Sequence, residues 1–489
     1  MEKLSTEIIE MIIDQLQQDS QLALYATISR KWQALVEART FSSLDVDSDH
    51  LDPFRSACSS NPRRQATLRA LHFNVVLPTS SEWEDHHANF RTAFHSLFSL
   101  MHEWEKDQAS STAFGSVELR TRVKVAARRA DDDDDDDDAH SKSLDSTSSS
   151  HVEHLPSMRP DDIASLPTVR RFNHFRVDVI LAAAIDPFTT CQLAIRLPRL
   201  ENLRLEYWDP DHWDPAGRAA YRTWLAEGIR SLRRLPRLES LHIDRRGGDE
   251  PNNHGVEVQN FHDDQDVDAV CEAVRQLAEA GTLAELELDD ILVSPDLFQD
   301  RRHSDSISPT SQAAAAAAAA PWPAMRSFHV RSGIVAPGGA WYYTGDPGAV
   351  TPLSVYDDED PPGDDSDSDN DGGGRATPVH CWRNRPVPEL FNPLVLAMAG
   401  AVLRMPRLRA GALTIRSDQG LLDYVALQCA APGTPLQKDM GDGTRFLDME
   451  CRRWMAWIGE NTEWEVPAEV RDSWKEFVGE AGKISVVYE

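Results

Sequence analysis

The chain has 489 residues, of which 41% are hydrophobic, and a formal net charge of −30. That length gives room for about three average domains, or for one long repeat domain carrying insertions. The charge is concentrated: Asp131–Asp138 and nine acidic residues between Asp357 and Asp371 supply more than half of it. Lysine and arginine form no stripe, so no nucleic-acid partner is expected. Cys58, Cys191, Cys271, Cys381, Cys429 and Cys451 lack C-x-x-C spacing and read as reduced thiols rather than a disulfide framework or a metal site. No apolar run approaches the ~20 residues a membrane helix needs. The N-terminus opens into an acid-bearing amphipathic pattern rather than a signal peptide. These features predict an intracellular protein, cytoplasmic, nuclear or both, with no membrane partner.

The first stretch, Leu4–Leu44, is rich in apolar rows. Leu4, Ile8, Ile12 and Leu16 recur every four residues, and Ile9 and Ile13 widen the stripe. Ser5 and Thr6 stand where a helix cap belongs, and Glu7 follows in the first turn, where the helix dipole favours an anion. A second apolar set, Leu22, Leu24, Tyr25 and Ile28, leads into Ser29, Trp32, Leu35 and Val36. The pattern predicts two or three short helices in about 40 residues, a size that rarely sustains a core alone. An interface with a partner helix is expected; an ordinary helical hairpin packed on its own domain is the alternative.

The same residues resemble the F-box, whose pattern is Leu-Pro-x-Glu, apolar residues at helical spacing, then Leu-x-x-x-Val-Cys-x-x-Trp. Leu4, Glu7, Ile8, Ile12, Leu16, Leu24, Ile28, Ser29 and Trp32 occupy matching places, and Phe41 and Leu44 close the motif. Ser5 replaces the usual proline and Ser29 the common cysteine. The resemblance implies docking onto the Skp-type adaptor of a cullin-based ubiquitin ligase, with Leu4, Glu7, Ile8, Ile12, Leu16, Leu24, Ile28 and Trp32 as contact residues.

Residues 47–105 follow as the start of a repeat-like region. Leu68, Leu71 and Phe73 predict a strand at the edge of an array, and Phe90, Phe94, Leu97, Phe98 and Met101 predict an amphipathic helix between Glu82 and Trp104. His86, His87, His95 and His102 on that helix read as solvent-side residues, because no carboxylate or thiolate converges on them. Residues 106–160, with eight aspartates and a serine-rich run, read as a disordered insertion.

A weak internal repeat then organises residues 161–300. LPRLENLRL opens at Leu197 and LPRLESLHI at Leu235, each with paired apolar residues, Leu203/Leu205 and Leu241/Ile243. Less regular copies carry Leu283, Leu286 and Leu288; then Met325, Phe328 and Val330 in residues 322–356; then Met405, Leu408, Leu413 and Ile415. VRRFNHFRV around Phe172 is a further copy without fixed register. Helices fit between them: one started by Asp214 and Pro215, one over Val267–Ala280 ended by Gly281, and one through Leu394–Val402. The pattern predicts an α/β fold: N-terminal F-box helices (1–46), then an irregular leucine-rich-repeat-like solenoid of parallel strands with helices on the convex side. An ordinary α/β layer domain is the alternative. Low-complexity insertions fall at 301–321 (alanine-rich) and 357–378 (acidic), where Ser366 and Ser368 are candidate phosphorylation sites. Residues 379–489 read as the last repeat and a cap: a strand at Tyr424–Cys429, helices at Phe446–Ile458 and Val470–Val478, and a strand at Ile484–Tyr488. Beyond the F-box, the chain resembles a group of uncharacterised fungal F-box proteins.

No nucleophile elbow, phosphate loop or HExxH motif occurs. DSDSDNDGGG lacks the glutamate an EF-hand loop requires. No cofactor, metal site or catalytic residue is therefore assigned, and the expected role is a non-catalytic substrate receptor that holds an unknown target protein. The alternatives are an acidic-tract module for basic partners, an F-box protein acting outside a ligase, and an enzyme of unrecognised type.

Overall fold

The structure is a computed structural model that describes residues 4–16, 22–59, 61–78, 83–107, 116–125, 157–179, 185–208, 214–246, 258–300, 322–346, 383–416, 424–436, 449–460 and 462–488. The alanine-rich stretch, the acidic stretch with Ser366 and Ser368, and Cys381 lie outside them. Two compact units divide the chain: Met1–Trp208 with Ser231–Glu239, and Asp209–Arg230 with Ser240–Glu489.

The first unit holds helices α1 (Thr6–Leu16), α2 (Leu22–Tyr25), α3 (Arg30–Thr40), α4 (Leu51–Ser59), α5 (Pro62–Thr67), α6 (Trp83–Asp107), α7 (Pro160–Ser165) and α8 (Pro187–Ile195). Its strands are β1 (Ser43–Asp47), β2 (Ala70–Leu77), β3 (Val117–Val125), β4 (Phe172–Val177) and β5 (Asn202–Trp208). They pair in chain order, and every described pairing among them is parallel.

The second unit begins with α9 (Pro215–Ser231) and continues through β6 (Ser240–Arg246), α10 (Ala269–Glu279), β7 (Glu285–Asp289) and β8 (Ser327–Ser332). Four two-residue strands follow: β9 (Val335–Ala336), β10 (Ala340–Trp341), β11 (Tyr343–Thr344) and β12 (Arg385–Pro386). After α11 (Pro388–Leu403) come β13 (Ala410–Arg416), β14 (Tyr424–Ala430), β15 (Arg453–Ile458), α12 (Ala468–Val478) and β16 (Lys483–Tyr488). The sheet order is β6-β7-β8-β13-β14-β15-β16. It is parallel up to β13, antiparallel through β14 and β15, and parallel again at β16.

Alternation explains why these segments are strands. On β5, Leu203, Leu205 and Tyr207 are buried while Asn202, Arg204 and Glu206 take the other face. The same split recurs at Leu241 and Ile243, Leu286 and Leu288, Phe328 and Val330, and Leu413 and Ile415, so each leucine-bearing copy in the sequence is a sheet strand. Helices cover the apolar face. Phe94 of α6 meets Phe73 of β2 with ring centroids 5.8 Å apart, and Trp474 of α12 stacks on Trp454 of β15 at 5.0 Å. Asp214, the start the sequence marks, accepts through Oδ1 from the Gly217 amide at 2.9 Å, and α10 begins at Ala269, two residues after the expected Val267, where Asp268 accepts from the Cys271 amide. Gly281, at φ +90°, follows α10 in a conformation that β-carbon residues avoid.

Four expectations are corrected. The edge strand is β1, not the Leu71–Phe73 strand, because Leu44 and Val46 continue straight from α3 and pair with Leu71 and Phe73. β3 lies inside the stretch assigned to a disordered insertion: Val117, Leu119, Thr121 and Val123 alternate with Glu118, Arg120, Arg122 and Lys124, and the first set is fully buried. Arg453–Ile458 is a strand instead of part of a helix. All six of its residues are buried, so both faces are filled and no polar alternation marks it. His86 is buried, its Nε2 3.0 Å from the Pro78 carbonyl, although His95 stands in solvent as expected.

Phe94 touches Phe73, Phe90 and Phe98 and is fully buried. Phe94→Ala is expected to cost about 3–5 kcal/mol. Urea unfolding should show a lower midpoint with an unchanged slope.

Candidate functional site

Two kinds of surface rise from this scaffold: an apolar one on the N-terminal helices, and polar rows on the helix-free face of the strands.

The N-terminal helices form a small core of their own. Ile9 and Ile13 of α1 and Trp32 and Val36 of α3 are buried together, with Leu4, Ile12, Leu16, Leu22, Tyr25, Ala26 and Leu35 packed around them. Ser29 caps α3 by accepting from the Trp32 amide at 3.3 Å, which is the use this chain makes of a serine at that place. Lys31 Nζ donates to the Leu4 carbonyl at 2.8 Å, closing α1 against α3. Arg64 of α5 holds Glu37 at 2.8 Å and lies 4.5 Å from the Phe41 ring centroid, tying the helices to the first unit.

The structure therefore divides the eight residues named for adaptor contact. Trp32 is inside the module, and Leu4, Ile12 and Leu16 pack against its core. Ile8, Leu24 and Ile28 are exposed at 47%, 62% and 38%, and Glu7 is exposed beside them in α1. Met11, which a strict four-residue period passes over, is 69% exposed one turn after Ile8. Eight large hydrophobic residues are exposed among the described residues, and Ile8, Met11, Leu24 and Ile28 are half of them. Exposed apolar side chains gathered in so short a stretch are the surface of this module that folding leaves uncovered.

On the helix-free face of the first unit, in-register pairing sets Asp45, His72, Arg120, Arg176 and Arg204 side by side. Two carboxylates bridge the arginines. Asp178 accepts from Nε of Arg120, Arg122 and Arg176, and Glu206 Oε1 accepts from Arg176 Nη2 and Arg204 Nε, both at 3.2 Å. Burial pushes the Asp178 carboxyl up, but the hydrogen bonds from Arg120 and Arg176 outweigh it and hold it below the usual range. Glu118 and the Asp47–Lys124 pair share this face, so its charge is balanced.

In the second unit the corresponding row is His242, Glu287, His329, Ala412 and Gln428. His242 Nδ1 lies 2.7 Å from Glu287 Oε2, and its Nε2 lies 3.3 Å from Asp289 Oδ2. Arg331 Nη1 is 3.1 Å from Asp289 Oδ1, and His329 Nδ1 is 4.0 Å from Glu287 Oε1. The His242 hydrogen bond lowers the Glu287 pKa; at Asp289 burial opposes, but His242 and Arg331 prevail and lower it too. A cavity of about 160 Å³ is lined by Glu285, Glu287, His329, Gln428 and their neighbours. Sequence reasoning passed over this group, because its members meet only through strand register.

Cys58, Cys191, Cys271, Cys429 and Cys451 are free thiols. Burial pushes Cys58 up to about 11 and Cys429 to about 12, the opposite of what a nucleophilic thiolate requires. No protein-family model and no curated protein matches the chain. Among the described residues no helix is long and apolar enough to cross a membrane.

Burial pushes the Asp186 carboxyl up to about 6 from 3.8, and Asp186 caps α8 by accepting from the Thr189 amide at 2.8 Å. Between those pH values the folded chain keeps a proton that the unfolded chain has lost, so stability falls as pH rises through the window. Asp186→Asn retains a capping oxygen. It is expected to flatten that dependence and to gain on the order of 2–3 kcal/mol at pH 7 relative to pH 4. Thermal melts across pH 4–7 check this.

Proposed function

We propose that the chain is a non-catalytic receptor subunit of a cullin-based ubiquitin ligase. Its N-terminal helices dock on a Skp-type adaptor, and its strand–helix array, a leucine-rich-repeat-like solenoid, presents the helix-free face to a target protein. The observation that carries this reading is the concentration of exposed apolar side chains, Ile8 and Met11 on α1, Leu24 on α2 and Ile28 in the turn before α3, in a module whose own core is already filled by Ile9, Ile13, Trp32 and Val36. A module with a complete core has no internal use for that second apolar surface, and a helical partner covers it. The match of Leu4, Glu7, Ile8, Leu24, Ile28 and Trp32 to the F-box pattern names the partner class. The one-directional strand order in each unit supports the solenoid reading, since a doubly wound sheet reverses at a switch point. Catalysis in such an assembly is proximity: the receptor holds the target near chemistry done elsewhere.

The test separates docking from folding. Ile8→Asp with Leu24→Asp changes exposed positions, so the melting temperature should hold. Adaptor binding should weaken by roughly 2 kcal/mol or more, about 30-fold in Kd. Trp32→Ala acts differently, removing a core side chain at a cost of about 3–5 kcal/mol to the module. Unchanged adaptor co-purification by the double aspartate variant refutes the assignment.

A further inference from the structure

β6, β7 and β8 are adjacent parallel strands, and their register puts His242, Glu287 and His329 in one row on the helix-free face. Asp289 follows on the same face of β7, two residues beyond Glu287. We infer that His242, Glu287, Asp289 and His329 form a binding site for one divalent transition-metal ion of the Zn²⁺ class. The inference is independent of the adaptor reading.

Convergence is the first argument. One donor atom each from His242, Glu287 and Asp289 lies within 4.8 Å of the others. Donors around a tetrahedral ion with bonds of ~2.0–2.2 Å stand about 3.4 Å apart. The His242 Nε2–Asp289 Oδ2 separation of 3.3 Å already has that value. The 2.7 Å contact of His242 Nδ1 with Glu287 stays as a hydrogen bond, which leaves Nε2 to face the ion beside Asp289. One imidazole nitrogen takes the ion while the other keeps a carboxylate hydrogen bond, the outer-partner arrangement of metal-bound histidine. Arg331 supplies a second such partner. It holds Asp289 through Oδ1 at 3.1 Å and turns Oδ2 toward His242.

Burial and charge point the same way. The side chains of His242, His329 and Asp289 are only 13%, 12% and 14% exposed, so the donors are held in place by packing. Glu285 adds a third carboxylate on the same face of β7, and it lines the adjoining cavity with Glu287 and His329, leaving room for water to complete the coordination. Two imidazoles with carboxylates select zinc, cobalt or nickel over calcium or magnesium, which take oxygen donors. The ion would fasten three strands brought together from separate crossovers. The exposed group Asp47, Asp49 and His50 also brings three potential ligands together, but it has one imidazole and no enclosure.

The experiment uses the full chain, stripped with chelator and titrated in 0.5 M salt to screen the acidic tracts. Zn²⁺ is followed by calorimetry and Co²⁺ by visible absorption. The expected result is one saturable site per chain, a cobalt d–d band from mixed nitrogen and oxygen donors, and a higher melting temperature with Zn²⁺. His242→Ala, His329→Ala and the isosteric Glu287→Gln should each weaken binding by about tenfold or more, and His50→Ala should leave it unchanged. Glu287 is 45% exposed, so Glu287→Gln keeps the fold and the test stands if a histidine variant does not. Equal affinity in wild type, His242→Ala and Glu287→Gln overturns the site. So does loss confined to His50→Ala, or uptake that never saturates.

Discussion

Parallel pairing in register is the constraint on which the rest depends. A strand whose neighbours run the same way, with no slip, repeats its inward and outward positions in line with theirs. One set of positions must then be apolar on every strand, because the covering helices bury it. Leu203, Leu241, Leu286, Phe328 and Leu413 fill that role, as do Phe73 under Phe94 and Trp454 under Trp474. The one recorded slip, between Val117 and Glu118 where β3 meets β4, falls at the start of the strands, so Leu119 still pairs with Phe175 on the apolar face.

The same constraint creates the polar rows. Side chains that share a register position on neighbouring strands stand about 4.8 Å apart, whatever their charge. In the first unit it brings Arg120, Arg176 and Arg204 abreast, an arrangement that repels unless carboxylates intervene. Asp178 and Glu206 intervene, and the depressed Asp178 carboxyl is the electrostatic trace of that role. In the second unit the row alternates imidazole and carboxylate, and Arg331 holds Asp289 beside it. Both rows follow from topology before any function is assigned, which is why a ligand reading of either needs more than proximity. The histidine row has convergent donors, an oriented outer carboxylate and a cavity; the arginine row is charge-balanced by groups on its own face.

What the sequence disclosed follows the same logic. Leucine pairs in LPRLENLRL and LPRLESLHI were legible because a strand buried on one face writes its alternation directly into the chain. β3 carries equally clean alternation, but its nine residues lie beside an aspartate run whose composition dominates any wider window. β15 failed for the opposite reason: apolar on both faces, it offers no period, and Trp454, Trp457 and Ile458 fall at helical spacing. Candidate sites were legible only where they are local. The N-terminal stripe is contiguous in sequence, so its residues could be named, yet which of them look inward could not. A period of four and the true 3.6 differ by a fraction of a turn per repeat, enough to place Ile9 and Ile13 in the core and Ile8 in solvent. His242 and His329 are joined by register across two crossovers, and no spacing rule connects them.

The N-terminal module shows how a fold can keep an apolar surface uncovered. Three short helices offer little interior, and their apolar side chains outnumber the places inside. Ile9, Ile13, Trp32 and Val36 take those places. A module this small would be marginal alone, but α3 runs directly into β1 and Arg64 grips Glu37 and Phe41, so part of its stability is lent by the strand and helix beside it. The lowered Glu37 carboxyl, held first by its hydrogen bond to Arg64, reports that tie. Stability supplied from outside frees the module's remaining apolar residues from service in a core. Ile8, Met11, Leu24 and Ile28 can then stay at the surface, where their burial free energy is not realised on folding.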